Sequence, residues 1–537
     1  MQFIYANIQY LIFFGFVALN IKRTLVLSHF FQQEEYDNTR FLKLIFHKLR
    51  YIDRKFTLVT ILVFASTIWF KQDLIFAIIY LCFILYIAFN QFNPLRNGKK
   101  PLVITKRLRL IMIVCLVINI VAGLALISQF QLNLHYLFYI LLIQALPICL
   151  VIANFILTPV EKLVQKQFYN EAKSILSKFN PKVIAITGSY GKTSTKYILN
   201  HILASNVKTL ATPGSVNTVM GIVRIIREQL KPEHKYFIVE MGAYGIGSID
   251  RLCRLVSPLH GIITAIGVAH LERYKKTENV AKAKFELSNY VANSNGFLVL
   301  NNDQIKASYI EQYNQVDTAN SACVSKEEGL NYQIVNAINT VDGVKFELKY
   351  NNSLYKVFAP IYGLIQIENI ALAFVMALKI GLKSDAIIAS LSKLPQIKHR
   401  LEVKKQANHI IIDDAYNSNP DGFKAALDVV DMFGAANKDA RKIIVTPGMV
   451  EMGDDHYIEH KNLGKMIAEK CDILVVILPE RIQSLIENFK INSKGKILMQ
   501  FDDFKSAKAW LDQNSQSNDI ILFENDLPDI YESKIAF

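Results

Sequence analysis

A glycine, a lysine and two hydroxyl residues in succession, Gly191-Lys192-Thr193-Ser194, form the part of this chain best suited to handling phosphate. They close the segment Thr187-Gly188-Ser189-Tyr190-Gly191-Lys192-Thr193-Ser194, which follows the short apolar run Val183 to Ile186 and precedes a helical pattern ending the stretch at Lys196. A strand that delivers the chain to a glycine turn at a helix start aims backbone amides inward. The helix terminus adds partial positive charge, the lysine reaches the outer phosphates, and the next hydroxyl can hold magnesium. Ile186 stands where the first glycine of G-x-x-x-x-G-K-[ST] is usual, so an ordinary strand-to-helix turn is the alternative.

Other chemistry clusters where further strands are expected to end. Glu240-Met241-Gly242 follows Tyr236–Glu240, Gly267-Val268-Ala269-His270-Leu271-Glu272 follows His260–Thr264, and Asn301-Asn302-Asp303 follows Gly296–Leu300. With a helix over Val280–Ala292, the alternation predicts an α/β sheet whose ligand loops share one edge with the phosphate loop. Magnesium prefers oxygen, and Glu240 with the Thr193 hydroxyl would meet that need. Singly, such residues are more often helix caps or structural histidines.

The elements that must carry this chemistry begin only after a hydrophobic third. The chain has 537 residues and a net charge of +14. Residues 1–170 hold 17 Lys/Arg against 6 Asp/Glu, whereas the rest is nearly balanced. The basic excess lies between apolar runs, which reads as a membrane-topology signal, and the remainder lacks a basic tract with interleaved aromatics, which argues against nucleic acid. Apolar runs at Phe3–Leu19, Thr57–Phe70, Leu74–Asn90, Leu110–Gln129 and Leu134–Leu157 predict about five transmembrane helices within residues 1–160. The second and third form a hairpin, and none is expected to carry Asp, Glu, Lys or Arg. No cleavage site follows the first run, so it reads as an anchor. Basic loops at 21–56 and 91–109 put the N-terminus outside and everything after residue 160 in the cytoplasm of a multi-pass inner-membrane protein. Two loop stretches, Gln32–Phe41 and Lys99–Arg107, are either solvated loops or a head-group surface. Val160–Phe179 predicts an amphipathic connecting helix. Six scattered cysteines suggest neither disulfides nor a zinc site.

Thr187–Ser194, Glu240-Met241-Gly242, Ala269–Glu272 with Glu278, Ala283-Lys284-Phe285-Glu286-Leu287, Asn301 with Asp303, and Asp413-Asp414-Ala415-Tyr416-Asn417-Ser418-Asn419-Pro420 occur in that order. Together, over roughly residues 180–475, they resemble the Mur ligase family, most closely its D-alanyl-D-alanine-adding branch. The resemblance implies an ATP-dependent, ADP-forming amide ligase of peptidoglycan synthesis, acting through an acyl phosphate. It would use ATP and Mg2+, with a muramoyl peptide precursor and D-Ala-D-Ala as substrates and the bilayer as a further partner. By resemblance, Lys192, Glu240, His270 and Lys284 are catalytic, and Thr193, Glu240 and His270 hold metal. Lys284 matches a lysine that becomes a carbamate in several members, a plain surface lysine being the alternative. The loop Thr187–Ser194 with Asn301, Arg400 and Asp414 would bind ATP, and Asn217, Tyr416, Asn417 and Asn419 substrate.

The expected architecture is multi-domain: a transmembrane α-helical region at 1–160, an α/β P-loop-type central domain at 175–395, and an α/β Rossmann-like domain at 396–537. The last has strands at His409–Ile412, Lys442–Thr446, Ile473–Leu478, Ile497–Gln500 and Asp519–Phe523, and Glu451-Met452-Gly453 fits the family pattern. Three features depart from it. Ile365 in Gly363–Asn369 replaces a histidine whose contact Gln366 would have to supply, and Asn217-Thr218 keeps only the first Asn of a pair. The segment Phe523–Asp529 is acidic where a Lys-Gly-Ser type ending is expected. The helical region stands where a soluble uridine-nucleotide-binding domain is expected. Ligation of another amino-acid substrate, polyglutamate-type or lipid-linked, and a degenerate membrane scaffold are the competing readings.

Overall fold

The computed structural model describes residues 2–48, 54–70, 73–90, 93–95, 101–129, 132–267, 274, 276–406, 409–416, 419–450, 452 and 455–525. The chain forms two compact units that divide between Lys166 and Gln167.

The first unit is helical: α1 (Gln2–Gln33), α2 (Asn38–Lys43), α3 (Arg54–Phe70), α4 (Asp73–Phe89), α5 (Lys106–Gln129), α6 (Leu132–Gln144) and α7 (Leu146–Phe179). Among the described residues, three helical stretches are long and apolar enough to cross a membrane, Tyr10–Gln33, Lys106–Leu126 and Leu146–Phe179; Phe56–Ser66, Ile75–Phe89 and His135–Gln144 are shorter. The pair α3 and α4 are separate helices, as the hairpin reading required.

Three expectations change. The apolar length of α1 continues through Leu25–Phe31, so its candidate span takes in Lys22 and Arg23, and Arg23 is wholly buried. The expected absence of charge in the spans is therefore wrong. The run 134–157 is divided at Ala145 between α6 and α7, because Pro147 cannot donate to the carbonyl four residues earlier. Val160–Phe179 is not a separate connecting helix but the second half of α7, continuous through Pro159.

The loop stretches after α1 and before α5 meet. Gln32 donates from Nε2 to the Val103 carbonyl (2.8 Å) and accepts from its amide (3.1 Å). Arg107 pairs with Glu161 (2.8 Å), reaches Asn154 (3.2 Å) and covers the Tyr36 ring at 4.1 Å. Arg40 pairs with Glu35 at 3.0 Å, while Asp37 caps α2 by accepting from the Arg40 amide.

In the second unit, strands β1 (Lys182–Thr187), β2 (Thr209–Ala211), β3 (Tyr236–Glu240), β4 (His260–Ile263), β5 (Leu298–Asn301), β6 (Ser321–Ser325), β7 (Tyr332–Thr340), β8 (Gly343–Tyr350) and β9 (Ser353–Ala359) form one sheet. Their order is β2-β3-β1-β4-β5-β6-β7-β8-β9. Pairing is parallel up to β7 and antiparallel beyond it. Period-two alternation shares β1 between two cores. Ile184 and Ile186 face α8 (Lys192–Ala204) and the helix Leu364–Lys379, while Val183 and Ala185 face the helices Val219–Gln229, Ser248–Val256 and Thr277–Asn293.

A six-stranded sheet follows: β10 (Glu402–Lys405), β11 (Ile410–Asp414), β12 (Lys442–Thr446), β13 (Ile473–Ile477), β14 (Ile497–Phe501) and β15 (Ile520–Glu524), ordered β10-β11-β15-β12-β13-β14. Only β10 is antiparallel to its neighbour. The strand expectations hold to within two residues, whereas β2, β6–β9 and β10 were not anticipated.

Candidate active site

The phosphate loop leaves β1 at Thr187, whose hydroxyl donates to the Met241 carbonyl and is fully buried. Two glycines make the turn. Gly188 (φ +153°) lies against Thr264, and Gly191 (φ +78°) lies against the Asn369 carboxamide, so a Cβ at either would collide with a neighbour and strain the backbone. The Thr264 hydroxyl donates to the Tyr190 carbonyl, and Ser189 Oγ accepts from the Gly267 amide at 2.9 Å. Gly191 is the N-cap of α8. The amides after it have no intrahelical carbonyl to bond and point at the cleft.

Ser189 to Ser194 line a cleft of ≈ 320 Å³ with Asn217, Glu240, Asn301, Arg400, Asp414, Tyr416 and Asn419. The Lys192 ammonium folds back on the loop, donating to the carbonyls of Gly188 (2.6 Å) and Ser189 (3.1 Å). Burial pushes its pKa down to about 8, against the pull of Glu240 and helped by Arg400. Glu240, at the end of β3, is 1% exposed. It accepts from Lys196 at 2.9 Å and from Asn217 at 3.3 Å. Lys196 also donates to the Gly214 carbonyl.

Lys284 lies on the helix Thr277–Asn293 and is 4% exposed, not the plain surface lysine of the bland alternative. Burial, then the charge of Lys192, holds its pKa well below the ordinary lysine value. It does not line the cleft itself, nor do Thr187 and Gly188.

The opposite wall comes from the second sheet. Arg400 stacks over the Tyr416 ring at 4.2 Å. Its neighbours His399 (φ +57°) and Leu401 (φ +52°) are both left-handed, which turns the Arg400 side chain toward the cleft. Asp414 accepts from the Leu401 amide at 3.1 Å, and burial pushes its pKa up to about 7, with Arg400 opposing. Asn419 caps the helix Pro420–Ala436 through the Gly422 amide. His270, Asn417, Glu451 and Gly453 lie outside the described residues.

Thr193 and Glu240 offer a hydroxyl and a carboxylate to the same cleft, a hard oxygen set that fits magnesium. The one other group of His, Asp and Glu close enough to share an ion among the described residues, His399, Glu402 and Asp413, already holds Lys404, 2.7 Å from Asp413 and 3.2 Å from Glu402.

Several cleft residues were not assigned from sequence. Lys196 was legible only as the lysine four after Lys192. Gln366 lines the cleft beside Ile365. It orients Asn369, accepting from it at 3.1 Å, while Asn369 accepts from Thr195 of α8 at 3.1 Å. Buried Glu368 links Asn301 (3.0 Å) to the half-exposed Lys326 (2.6 Å). In the acidic tail, Glu524 is an interior residue of β15 paired in register with Asp414, and Asn525 donates to the Gly448 carbonyl.

A glycine-turned phosphate loop on a parallel sheet, facing a second α/β domain across a cleft, defines a two-domain nucleotide-binding architecture of the ligase kind. The Mur ligase middle domain matches residues 186–377, and the Mur ligase glutamate ligase domain matches residues 399–524. The chain belongs to the Mur ligase family.

Among curated proteins, it is 29% identical over 302 residues to the UDP-N-acetylmuramoyl-tripeptide–D-alanyl-D-alanine ligase of Haemophilus influenzae, covering 55% of this chain and 63% of that protein. It is 30% identical over 305 residues to the Mycobacterium tuberculosis protein of the same name, covering 55% and 58%. The chain thus spans about six-tenths of the length of these relatives. Among solved structures, it resembles MurF from Acinetobacter baumannii (TM-score 0.59, 25% identity, 67% of this chain and 77% of that one). It also resembles the MurF ligase from Thermotoga maritima in complex with ADP (TM-score 0.57, 25% identity, 67% and 80%).

Proposed function

We propose that the protein is an ATP-dependent carboxylate–amine ligase of peptidoglycan precursor synthesis, adding D-Ala-D-Ala to a muramoyl tripeptide at the cytoplasmic face of a membrane. The observation that carries this reading is the convergence of Lys192, Glu240, Arg400 and Asp414 on one cleft between two Mur-type domains. The similarity to D-alanyl-D-alanine ligases supports the substrate pair.

In this mechanism the loop amides and Lys192 hold the β- and γ-phosphates. The lysine leaves the Gly188 and Ser189 carbonyls as the phosphates arrive. An oxygen of the acceptor's carboxylate attacks the γ-phosphorus and ADP leaves, giving an acyl phosphate. The nitrogen of the incoming amine then attacks the acyl carbon, and phosphate departs with the bond to oxygen. Charge collects on phosphoryl oxygens at both stages, so cationic groups matter more here than a nucleophilic side chain. Magnesium would neutralise part of that charge, held by Thr193 and Glu240, with His270 as a further ligand. Arg400 and Asp414 bring the second domain to the nucleotide, while Tyr416, Asn417, Asn419 and Asn217 shape the substrate side.

Lys284 is buried, and burial with the charge of Lys192 holds its pKa well below the ordinary lysine value, which favours the amine form that adds to carbon dioxide. As a carbamate it would become an anion beside Lys192. The apolar helices favour a lipid-linked acceptor over a soluble one, within a five-crossing topology that counts α6 and α7 together.

Full-length protein with ATP, magnesium, a muramoyl tripeptide (nucleotide-linked or lipid-linked) and D-Ala-D-Ala should release phosphate only when both substrates are present. Absence of turnover with either acceptor would sink the assignment. An N-terminal reporter fusion that scores as cytoplasmic would overturn the topology.

A further inference from the structure

We propose that Glu368 is a positioning residue that fixes the Asn301 carboxamide and thereby makes the cleft prefer a 6-aminopurine, adenine, over guanine. The inference rests on the ligase reading of the cleft and names how its nucleotide base is chosen.

Asn301 ends β5, which is separated from β1 and its phosphate loop by β4 alone. At ordinary strand spacing the two sites are about 10 Å apart, the reach of a nucleoside from its phosphates. Asn301 is 3% exposed and borders the cleft, as does Glu368 on the helix Leu364–Lys379. Asn301 Nδ2 donates to Glu368 Oε2 at 3.0 Å, while Asn301 Oδ1 accepts from the Asp303 amide at 3.2 Å.

An ionised carboxylate only accepts, and a backbone N–H only donates, so these two partners together permit one orientation of the amide. Glu368 is itself held by Lys326, whose ammonium donates to Oε1 at 2.6 Å. The Lys326 amide and the Ser325 hydroxyl are in turn bound by Asp303.

The result is a cleft end that presents acceptors: the fixed Asn301 oxygen and a buried carboxylate. Such a wall repels phosphate, so it belongs to the base. Adenine offers an amine donor at N6 beside the N7 acceptor, and so satisfies a carboxamide's oxygen and remaining N–H together. Guanine presents two acceptors, O6 and N7, along the same edge. Glu368→Gln puts an amide beside Asn301 that can donate as well as accept. Only the Asp303 amide then holds the Asn301 carboxamide in place, so its fit to the adenine edge loosens.

The test is equilibrium binding of MgADP and MgGDP to the full chain in detergent micelles. Wild-type protein should favour ADP, and Glu368→Gln should narrow the ADP:GDP ratio by about tenfold, through weaker ADP binding with GDP binding little changed. Lys326→Met, at a half-exposed side chain, should narrow the ratio in the same direction by less. A merely structural role would weaken both nucleotides together and leave the ratio unchanged. An unchanged ratio in both variants, with ADP still bound, overturns the inference alone. Wild-type protein that binds neither nucleotide overturns the ligase reading and this inference with it.

Discussion

The Lys196 ammonium lies 2.9 Å from the Glu240 carboxylate, and the two side chains are 5% and 1% exposed. Glu240 is thus held ready at the end of β3 by a cation from α8, with Asn217 on its other oxygen. A divalent ion arriving beside Thr193 would meet a carboxylate whose position is already set.

Removing one partner of that pair leaves a buried charge without compensation. Glu240→Ala should lower stability by about 3–5 kcal/mol, read by thermal denaturation, and should also remove magnesium-dependent tightening of ADP binding. Normal stability in this variant would show that water reaches Lys196 freely and that the pair contributes little.

Lys192→Ala acts differently. Its partners are two loop carbonyls, those of Gly188 and of the cleft-lining Ser189, which water entering the vacated space can satisfy. Phosphate release should fall by at least about 100-fold, the scale of losing one preorganised charge at a transition state, while the melting temperature stays close to that of the unaltered protein. Retained turnover would remove Lys192 from the phosphate site.

The pKa of Lys192, lowered to about 8 by burial, sets a pH window. Between about 8 and the unfolded value, 10.5, the unfolded chain binds more protons than the native one, so this group makes stability rise with pH. Lys192→Met should flatten that rise in melts taken from pH 8 to 10.5. A curve unchanged by the substitution would place the ammonium in contact with solvent.

Asp414 has the opposite sign. Its folded pKa, pushed up to about 7, exceeds the unfolded value of 3.8. The native state therefore binds the extra proton, and the associated stability, full below about 4, is lost as pH rises through 7. Asp414→Asn should abolish that loss in melts from pH 4 to 7. ADP affinity in the same variant should become insensitive to pH across that range if the carboxylate faces the nucleotide.

A carbamate on Lys284 predicts a dependence on dissolved carbon dioxide. Turnover should drop in degassed, bicarbonate-free buffer and return on adding bicarbonate, and labelled bicarbonate should give a carbamate carbon signal that Lys284→Ala lacks. Turnover indifferent to bicarbonate, with no such signal, would leave Lys284 as a buried, unmodified lysine.

Much of this protein was written locally. The turn at Gly188 and Gly191, the lysine and hydroxyls after it, the apolar strand before it and the carboxylate ending β3 are short-range patterns that gain weight by occurring together. So are the alternating strands of the second α/β domain. The apolar runs of the first third likewise announced helices, because length and hydropathy alone decide whether a segment suits a bilayer.

Other features depended on residues far apart in the chain. Arg23 looked like the end of an anchor and is buried within a longer helix, whose neighbours cover it. The strands β6–β9 take their place by pairing along an existing sheet edge, although β8 alternates Val344, Phe346 and Leu348 with charged residues. Lys196 meets Glu240 across 44 positions, and Asn301 meets Glu368 across 67. Sequence names such residues as charged or polar. Only the fold, by taking their partners out of water and setting them at hydrogen-bond distance, decides which of them hold the site in shape.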